Sequence, residues 1–553
     1  MAQRVAIIGA GKSTLRSPSL VTFPLPTFPN KTTGISGLTS LKETLAEGLE
    51  AVCFDGRDTL GGAWVYQPVA DTEDPAASSS IYLGTMLNSC RDTSAFSDFP
   101  LDPARYSDYF THRLMVQYLN EYAAHFGLEE HVRLQTKVTK CTPHDDGSWT
   151  VVSRHKDGTE TSEVFSAVIV AGGHLSVPYT PTIPDSSLFE GKIMHTHTYR
   201  TPSPYEGKRV AVVGFGSSAV DVACEIAPHA ASVHLVTRRG GWVLPRYVLG
   251  KPAEAFDNRA TQLWVPPALS QWLQTKLLEF VEGSIPSAMV PDHKILEQNP
   301  TIRGDFLEKV RMGQINVARG DVVRMNEIGL VVQSTDNRDK KDAGREYELP
   351  VDVVIFGTGY QIFDLPYLPP NVVHPPEGKD SDIELYRLIH PLHHRNLFFH
   401  GYIDPQGPLP PVVEAQARYT AAMLSGRIPT PSLEEKQKGI EDLRAYQRRH
   451  FVHSDRHAAT HHQIAYVDEL LAPLGAAPTF PRLLGQIFSS GHPLRALSVL
   501  NAVWFSIPSS AMWRLVGHGA KIDLAAATVL RTAGEKPTLS AQEVGQLAKE
   551  KQE

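Results

Sequence analysis

Arg4 to Gly11 reads RVAIIGAG, and Ile35 to Glu47, after an interruption, reads ISGLTSLKETLAE. The first piece is an apolar, strand-like run closing on Gly-x-Gly; the second has the spacing of a helix. Joined, they spell GAGISG, with Gly9, Gly11 and Gly37 in G-x-G-x-x-G spacing. A dinucleotide site needs that order of parts. Gly9 makes the tight turn, Gly11 leaves bare backbone for a pyrophosphate, and Gly37 lets helix pack close on strand, with the helix N-terminus facing the negative charge. The acid expected to hold a ribose hydroxyl is Asp55, which ends the strand-like AVCFD 18 residues beyond Gly37.

The interruption, KSTLRSPSLVTFPLPTFPNKTTG, covers residues 12 to 34. It carries four prolines, no acidic residue and neither helical nor strand periodicity, so it is expected to bulge out without regular structure. Gly11-Lys12-Ser13 can be encoded with an internal GTAAGT splice donor, and Thr33-Gly34 with a CAG acceptor in the same codon phase. We read these 23 residues as a retained in-frame intron. The alternative is a genuine surface insertion, for which a phosphate-binding turn is a poor place. The junction also imitates a P-loop, from Ala6 through Gly11 to Lys12-Ser13. Ala6 lies within the strand, however, and prolines follow where a helix is required, so a nucleoside triphosphatase is rejected.

A chain of 553 residues is long enough for two or three domains with sizeable cores. With 42% hydrophobic and 20% charged residues it reads as an ordinary globular protein, and a net charge of −7 gives no support to nucleic-acid binding. Cys53, Cys90, Cys141 and Cys224 lack C-x-x-C spacing, so neither a disulfide framework nor a zinc site is expected. The N-terminus enters a strand without a secretory leader pattern, and a reducing, cytoplasmic location is the expectation. Ala496 to Trp513 is 18 uncharged residues, but Pro508, Asn501 and its serines keep it below the apolarity of a membrane span. Internal packing is its expected use, with peripheral membrane contact the alternative. The oligomeric state is not legible, a homodimer being left open.

Gly61-Gly62-Ala63-Trp64 is a glycine-rich turn able to bring backbone against a flat ligand. Residues 81 to 103 hold Asn88-Ser89-Cys90 and Phe96-Ser97-Asp98-Phe99-Pro100. Helical spacing covers 112 to 126, and strand alternation marks 132 to 155. AVIVAGG, from Ala167 to Gly173, is a buried strand that leads into the proline-rich linker PYTPTIP. Arg209 to Ala227, RVAVVGFGSSAVDVACEIA, is a second and uninterrupted nucleotide unit, with Gly214-x-Gly216-x-x-Ala219 between strand and amphipathic helix. The strand after it, SVHLVTRR, ends in Arg238-Arg239 instead of an acid. A carboxylate suits a free ribose, whereas arginines suit a 2′-phosphate. Adjacent arginines are commonly no more than a solvated pair; their position relative to Gly214 and Gly216 favours the phosphate. FAD is therefore expected in the first site and NADPH in the second. Residues 251 to 299 are helical and rich in aromatics, and DVVIFGTGY, from Asp352 to Tyr360, is expected to return the chain to the first domain. The fold class that follows is α/β with two dinucleotide-binding, Rossmann-like domains. The NADPH domain (186–334) is inserted into an FAD domain split between 1–185 and 335–553, whose last part ends in helices.

Phe189-Glu-Gly191-Lys-Ile-Met-His195-Thr-His-Thr-Tyr199 fits F-x-G-x3-H-x3-Y, the identifying motif of the flavin-containing monooxygenases. NSCRDTSAFSDFP (88 to 100), TRRGGWVLPR (237 to 246), FGTGY (356 to 360) and WRLVGHG (513 to 519) also resemble segments of that family. The chain resembles these dimethylaniline monooxygenase-like proteins from its N-terminus to about Arg531, residues 12 to 34 excepted. The resemblance implies that Gly9, Gly11, Ser36, Gly37, Asp55, Ala63 and Trp64 hold FAD, with Val138 near the adenine. It implies that Gly214, Gly216, Ser218, Ala219, Asp221, Arg238 and Arg239 hold NADPH, and that Asn88 is the active-site asparagine beside flavin and nicotinamide. Two positions depart from the family pattern: Asp55 replaces a Glu, and Gly357 replaces an Ala. His195 and Tyr199 are expected to be structural elements at the domain junction.

The chemistry implied is that of the cofactors. NADPH reduces FAD, molecular oxygen adds to give a C4a-hydroperoxyflavin, and a soft nitrogen or sulfur of a small molecule takes the distal oxygen while the protein keeps water out. One alternative is a Baeyer–Villiger ketone monooxygenase. Those enzymes typically end the identifying motif in Trp-Pro or Trp-Asp, where Tyr199-Arg200 stands here. Another is a folded, inactive product unable to hold FAD because residues 12 to 34 remain. Finally, His450, His453, His457 and His461 fall on one face of an expected helix. With no cysteine or clear carboxylate partner nearby, they read as a solvated face, and no metal site is expected.

Overall fold

The structure, a computed structural model, describes residues 3–9, 33–70, 79–335, 344–379, 382–452, 459–489 and 491–534. A five-stranded, wholly parallel sheet runs in the order Leu397–Phe399, Ala167–Val170, Arg4–Ile8, Glu50–Phe54, Val132–Arg133. The helix Ile35–Ala46 joins its third and fourth strands, so the strand–helix–strand unit survives the interruption. Val5 to Ile8 and Ala167 to Val170 are buried apolar runs, as strands of a parallel sheet covered on both faces must be. The helix turns no side to solvent over its first ten residues. Ile35 to Thr44 are all buried, because the helix Leu409–Leu424 lies against it and is itself buried almost throughout.

A second sheet is ordered Glu346–Pro350, Gly329–Ser334, Asn316–Asn326, Ser232–Thr237, Arg209–Val213, Val353–Phe356, Lys192–His195. Its last four strand pairs, from Asn316–Asn326 onward, are parallel; the first two are antiparallel. The chain leaves the first sheet after Val170, builds the second, and re-enters the first at Leu397. The insertion of one nucleotide fold into another is therefore real.

The expected return at DVVIFGTGY is not. Val353–Phe356 pairs with Arg209–Val213 on one side and Lys192–His195 on the other, so a boundary at 334/335 cuts through the second sheet. An apolar strand buried on both faces belongs in the middle of a sheet, and the glycine turn after it packs on Gly214. The two crossings between sheets run side by side, with Val177–Pro178 antiparallel to Tyr360–Gln361.

The expected helix at 112 to 126 is His112–His125, and the expected strands are Thr136–Pro143 and Trp149–His155, extended by Glu160–Phe165. Ala496 to Trp513 is a helix, Pro493–Phe505, followed by the 3-10 turn Ser510–Arg514; among the described residues no helix is long and apolar enough to cross a membrane. The histidine row does not lie on one helix. Leu433–His450 ends at His450, and His461 sits in the strand Thr460–His462, stacked on Tyr446 with ring centroids 4.5 Å apart. His453 and His457 lie outside the described residues.

Distant segments that share the family resemblance meet in one buried ionic cluster. Arg514 donates to Glu43 and Glu414, each at 2.6 Å, and Lys42 to Glu43 at 2.7 Å and Asp98 at 2.5 Å. Glu414 also accepts the Ser97 amide at 2.7 Å and its hydroxyl at 2.6 Å. The three carboxylates gather as closely as metal ligands would, but Arg514 and Lys42 already pair with them, and Lys521 Nζ lies 3.8 Å from Asp98.

Candidate functional site

At the end of Arg4–Ile8 the chain turns beside Asp55. The Gly9 amide donates to Phe54 O at 2.8 Å, and a Cβ on Gly9 would lie 2.8 Å from Asp55 Oδ2. Asp55 is fully buried. Its Oδ1 accepts the Arg57 amide at 2.9 Å, while Oδ2 has no partner. Burial pushes its carboxyl up to about 8. A buried acceptor left open at the end of this strand fits a ribose hydroxyl.

Gly11 lies outside the described residues. The helix N-cap is Gly34, at φ −77°, ψ −178°, with no side chain over the first turn. Gly34 therefore stands where the second glycine of the motif is needed. Its place in the interrupting segment hid that role, although GAGISG reads the same with either glycine. Thr33 before it is buried, its hydroxyl 3.6 Å from Cys53 Sγ, and a Cβ on Gly37 would lie 2.2 Å from its methyl. Gly37 serves close packing, most tightly against this threonine, with Cys53 of the neighbouring strand 3.6 Å from the same added Cβ. Ser36 lies in the buried first turn. The Gly61–Trp64 turn seats on the same cap: the Gly61 amide donates to Thr33 O at 3.2 Å, and a Cβ on Gly62 (φ +55°) would meet Gly34 Cα at 2.6 Å. Ala63 is exposed and Trp64 half-buried beside this helix end. Val138 is buried two residues after Thr136, whose amide donates to Asp55 O at 2.8 Å.

In the second unit Gly214 has φ +126°, and a Cβ there would lie 2.3 Å from Gly357 O. Gly216 caps the helix Ser217–Ile226 at φ −77°, ψ 171°, with nothing within 4 Å of an added Cβ. Ser218 is exposed in the first turn. A Cβ on Gly357 would come within 2.6 Å of Ala219 Cβ, so the glycine that replaces the family's Ala at 357 leaves room for Ala219. Arg238 and Arg239 are exposed, and among the described residues their ion pairs are loose ones to Asp321 at 3.5 Å and Asp292 at 3.8 Å. Asp221 differs from its expected role. Both its oxygens are engaged, Oδ2 by the Tyr82 hydroxyl and Oδ1 by Arg303 at 3.3 Å, so it joins the Asn88 loop to this helix. Tyr199 is buried with its hydroxyl on Glu225 at 2.9 Å. His195 accepts the His197 amide at 3.0 Å, and burial holds its imidazole down near 4. Arg200 spends its guanidinium on backbone carbonyls of Gln67, Ser79, His197 and Tyr199. Asn88 is half-buried and accepts from Arg246, a partner with no motif to announce it.

Two nucleotide cradles, one nested in the other and ending respectively in a buried acid and an exposed arginine pair, define a two-nucleotide oxidoreductase fold. The family described as "Flavin-binding monooxygenase-like" matches residues 31–550. Flavin-containing monooxygenase 5 of Rattus norvegicus is 31% identical over 462 residues, covering 80% of this chain and 82% of that protein. "Dimethylaniline monooxygenase [N-oxide-forming] 2" of Cavia porcellus is 29% identical over 532 residues, 94% of this chain and 90% of that one. Among solved structures, S-allyl-L-cysteine S-oxygenase from Allium sativum aligns with a TM-score of 0.60 at 23% identity, covering 90% and 94% of the two chains. Cyclohexanone monooxygenase from Rhodococcus sp. Phi1 aligns at 0.52 and 17% identity, covering 79% and 88%. The chain belongs to the flavin-binding monooxygenase-like family and is a flavin-dependent monooxygenase.

Proposed function

We propose that the chain binds FAD at Gly9, Gly34, Ser36, Gly37, Asp55, Ala63, Trp64 and Val138, and NADPH at Gly214, Gly216, Ser218, Ala219, Arg238 and Arg239, and oxygenates soft nitrogen or sulfur centres of small molecules. The FAD part then comprises residues 1–185 and roughly 357 onward, with the NADPH part between them. The observation that carries this is the contrast of ribose ends. Asp55 offers an unpartnered buried carboxylate oxygen, whereas Arg238 and Arg239 offer two loosely held cations. The bound cofactors supply the redox chemistry: electrons from NADPH reduce the flavin, which activates dioxygen for transfer of one atom to substrate, the other leaving as water. Asp55 accepts the ribose hydroxyl. The N-termini of the helices capped by Gly34 and Gly216 face the pyrophosphates, and the Asn88 amide donates beside the reacting ring. The backbone around Arg200 and Tyr199 closes the junction against water.

Relatives whose names specify N-oxide formation support nitrogen as a target. Tyr199-Arg200 at the end of the identifying motif stands against a ketone. The test is purified protein offered a tertiary amine, a thioether and a cyclic ketone with NADPH. N-oxide or sulfoxide formation is expected; ester alone would overturn the choice.

For the surface we propose peripheral contact with an anionic membrane. The supporting observations are outward-facing Trp272 (56% exposed), Phe280 (78%), Phe488 (84%) and Leu494 (81%), and the absence of any acid from Leu470 to Ile522. Co-sedimentation with anionic vesicles, lost in Phe488→Ser/Leu494→Ser, is the expected result. A stable homodimer without vesicle binding would assign the face to a second copy instead.

A further inference from the structure

Tyr247–Val248 pairs antiparallel with Lys251–Pro252 around a turn of Leu249 and Gly250, at φ +49° and +77°. Two left-handed residues in succession close the tightest kind of hairpin, which is strained at a leucine. Its flanks are thereby brought together, the Ala253 amide donating to Arg246 O at 2.9 Å. Arg246 and Glu254 then reach the Asn88 loop as a pair. Arg246 Nε donates to Leu87 O, and Nη2 to Asn88 Oδ1, both at 3.3 Å. Glu254 Oε1 accepts the Cys90 amide at 2.7 Å, and Oε2 accepts the Tyr109 hydroxyl at 2.7 Å. The Tyr109 ring in turn lies 5.9 Å from the Arg246 guanidinium.

A guanidinium has donors only. Whatever the orientation of the carboxamide in the absence of Arg246, its oxygen must face Arg246 in this contact, and the NH2 group must face away. We propose that Arg246 is a positioning residue: it locks the Asn88 side chain so that its amide is presented as a donor to the flavin side of the loop. This rests on the reading of Asn88 as the group beside the reacting ring. The lock belongs to the stretch that begins at Thr237-Arg238-Arg239, so one segment leads from the nucleotide phosphate to Asn88. Without Arg246 the carboxamide is free to flip and present its oxygen in place of the donor. NADPH, dioxygen and one proton from the medium then give NADP+ and hydrogen peroxide, and substrate is not oxygenated.

The contact is tested first by thermal unfolding of flavin-free protein carrying Arg246→Met, Asn88→Leu or both. Non-additive shifts are expected, the double variant melting no lower than the weaker single one; additive shifts overturn the lock. Its purpose is tested by peroxide formed per NADPH consumed. Arg246→Met at unchanged flavin content should raise that ratio several-fold, and Arg246→Lys should recover part of the loss. Asn88→Asp keeps an oxygen for Arg246 but lacks the NH2, so it should melt no lower than the parent and yet be uncoupled. Coupling unchanged in Arg246→Met overturns the proposal, and if that variant does not fold, Arg246→Lys and Asn88→Asp carry the same comparison. Coupled thermal shifts in a chain that oxygenates neither amine nor thioether would retain the contact and overturn the reaction assigned to it.

Discussion

The two glycine turns can be laid over one another residue by residue. Gly9 and Gly214 each donate a backbone amide to the end of the neighbouring strand, at Phe54 O (2.8 Å) and Val236 O (3.0 Å). Gly34 and Gly216 cap their helices in nearly the same conformation, −77°, −178° and −77°, 171°. What lies between differs. The second turn spans the gap with Phe215 alone and twists Gly214 to φ +126°; in the first, Thr33 precedes the cap, buried over Gly37. With Thr33 and Gly34 in place, the helix keeps its glycine cap. Extra chain can enter before them without unmaking the strand–helix–strand unit.

The comparison is broken most forcefully by removing the extra chain. Deleting residues 12 to 34 leaves Gly9-Ala10-Gly11-Ile35, the same sequence that deletion of 11 to 33 would leave. Closing a loop of this length costs roughly 3 kcal/mol in the folded state whether or not flavin is bound. Affinity should suffer separately, because the segment enters where the helix N-terminus faces pyrophosphate. The shortened chain is expected to melt higher and to retain about tenfold more flavin through purification, read by absorbance, a difference of about 1.4 kcal/mol. Full flavin occupancy in the intact chain would show that the first cradle tolerates its interruption as well as the geometry of Gly34 permits.

Substitutions at the caps come next in size. Gly214→Ala places a methyl 2.3 Å from Gly357 O in left-handed backbone and should destabilise by about 3 kcal/mol or more. Gly216→Ala, with open space and φ −77°, should leave thermal stability within about 0.5 kcal/mol yet weaken NADPH binding, since the methyl occupies phosphate space. Gly34→Ala should resemble Gly216→Ala, with flavin as the ligand lost. Equal melting of Gly214→Ala and Gly216→Ala would refute the division of labour between turn and cap.

Much of this was legible because strands and glycine turns declare themselves locally. RVAII, AVIV and RVAVV fall where their apolar runs put them, and Asp55 lies at the strand end that spacing required. Three features were hidden, each for a reason. Gly34 was indistinguishable from Gly11 in a spliced reading of the motif. The strand Val353–Phe356 carries no mark of which of two parallel sheets it enters, since both bury it completely; only long-range pairing decides. Asp221, placed by the family resemblance among the nucleotide ligands, found a closer partner in Tyr82, 139 residues away in sequence. Contacts at that separation, like those of Arg246 with Asn88, leave no periodicity to read.

The ribose ends sharpen the comparison through pH. Burial lifts the Asp55 carboxyl from 3.8 to about 8, so between those values the flavin-free folded chain holds a proton that the unfolded chain has lost. Stability from this group is therefore greatest below 3.8 and declines as pH rises toward 8. Asp55→Asn should remove the decline, melting above the parent at pH 8 and level with it below 3.8, while flavin affinity falls. A parent and variant with parallel stability profiles would show that the carboxylate is already satisfied without ligand.

The arginine pair should give the smallest change in the protein itself and a clear one in cofactor choice. Arg238 and Arg239 are exposed, and their contacts with Asp321 and Asp292 are too long and too solvated to matter to folding. Arg238→Ala and Arg239→Ala should each shift thermal stability by less than about 0.5 kcal/mol. Each nevertheless removes a charge-assisted contact with a 2′-phosphate, of order 1.5–3 kcal/mol. The ratio of kcat/KM for NADPH over NADH should accordingly fall about tenfold or more per substitution, chiefly through KM for NADPH. NADH kinetics should be untouched, since its ribose offers nothing for these cations to bind. A parallel fall for both cofactors would mean that the arginines support the cradle generally, and the distinction between an acid-ended and an arginine-ended strand would lose its functional meaning.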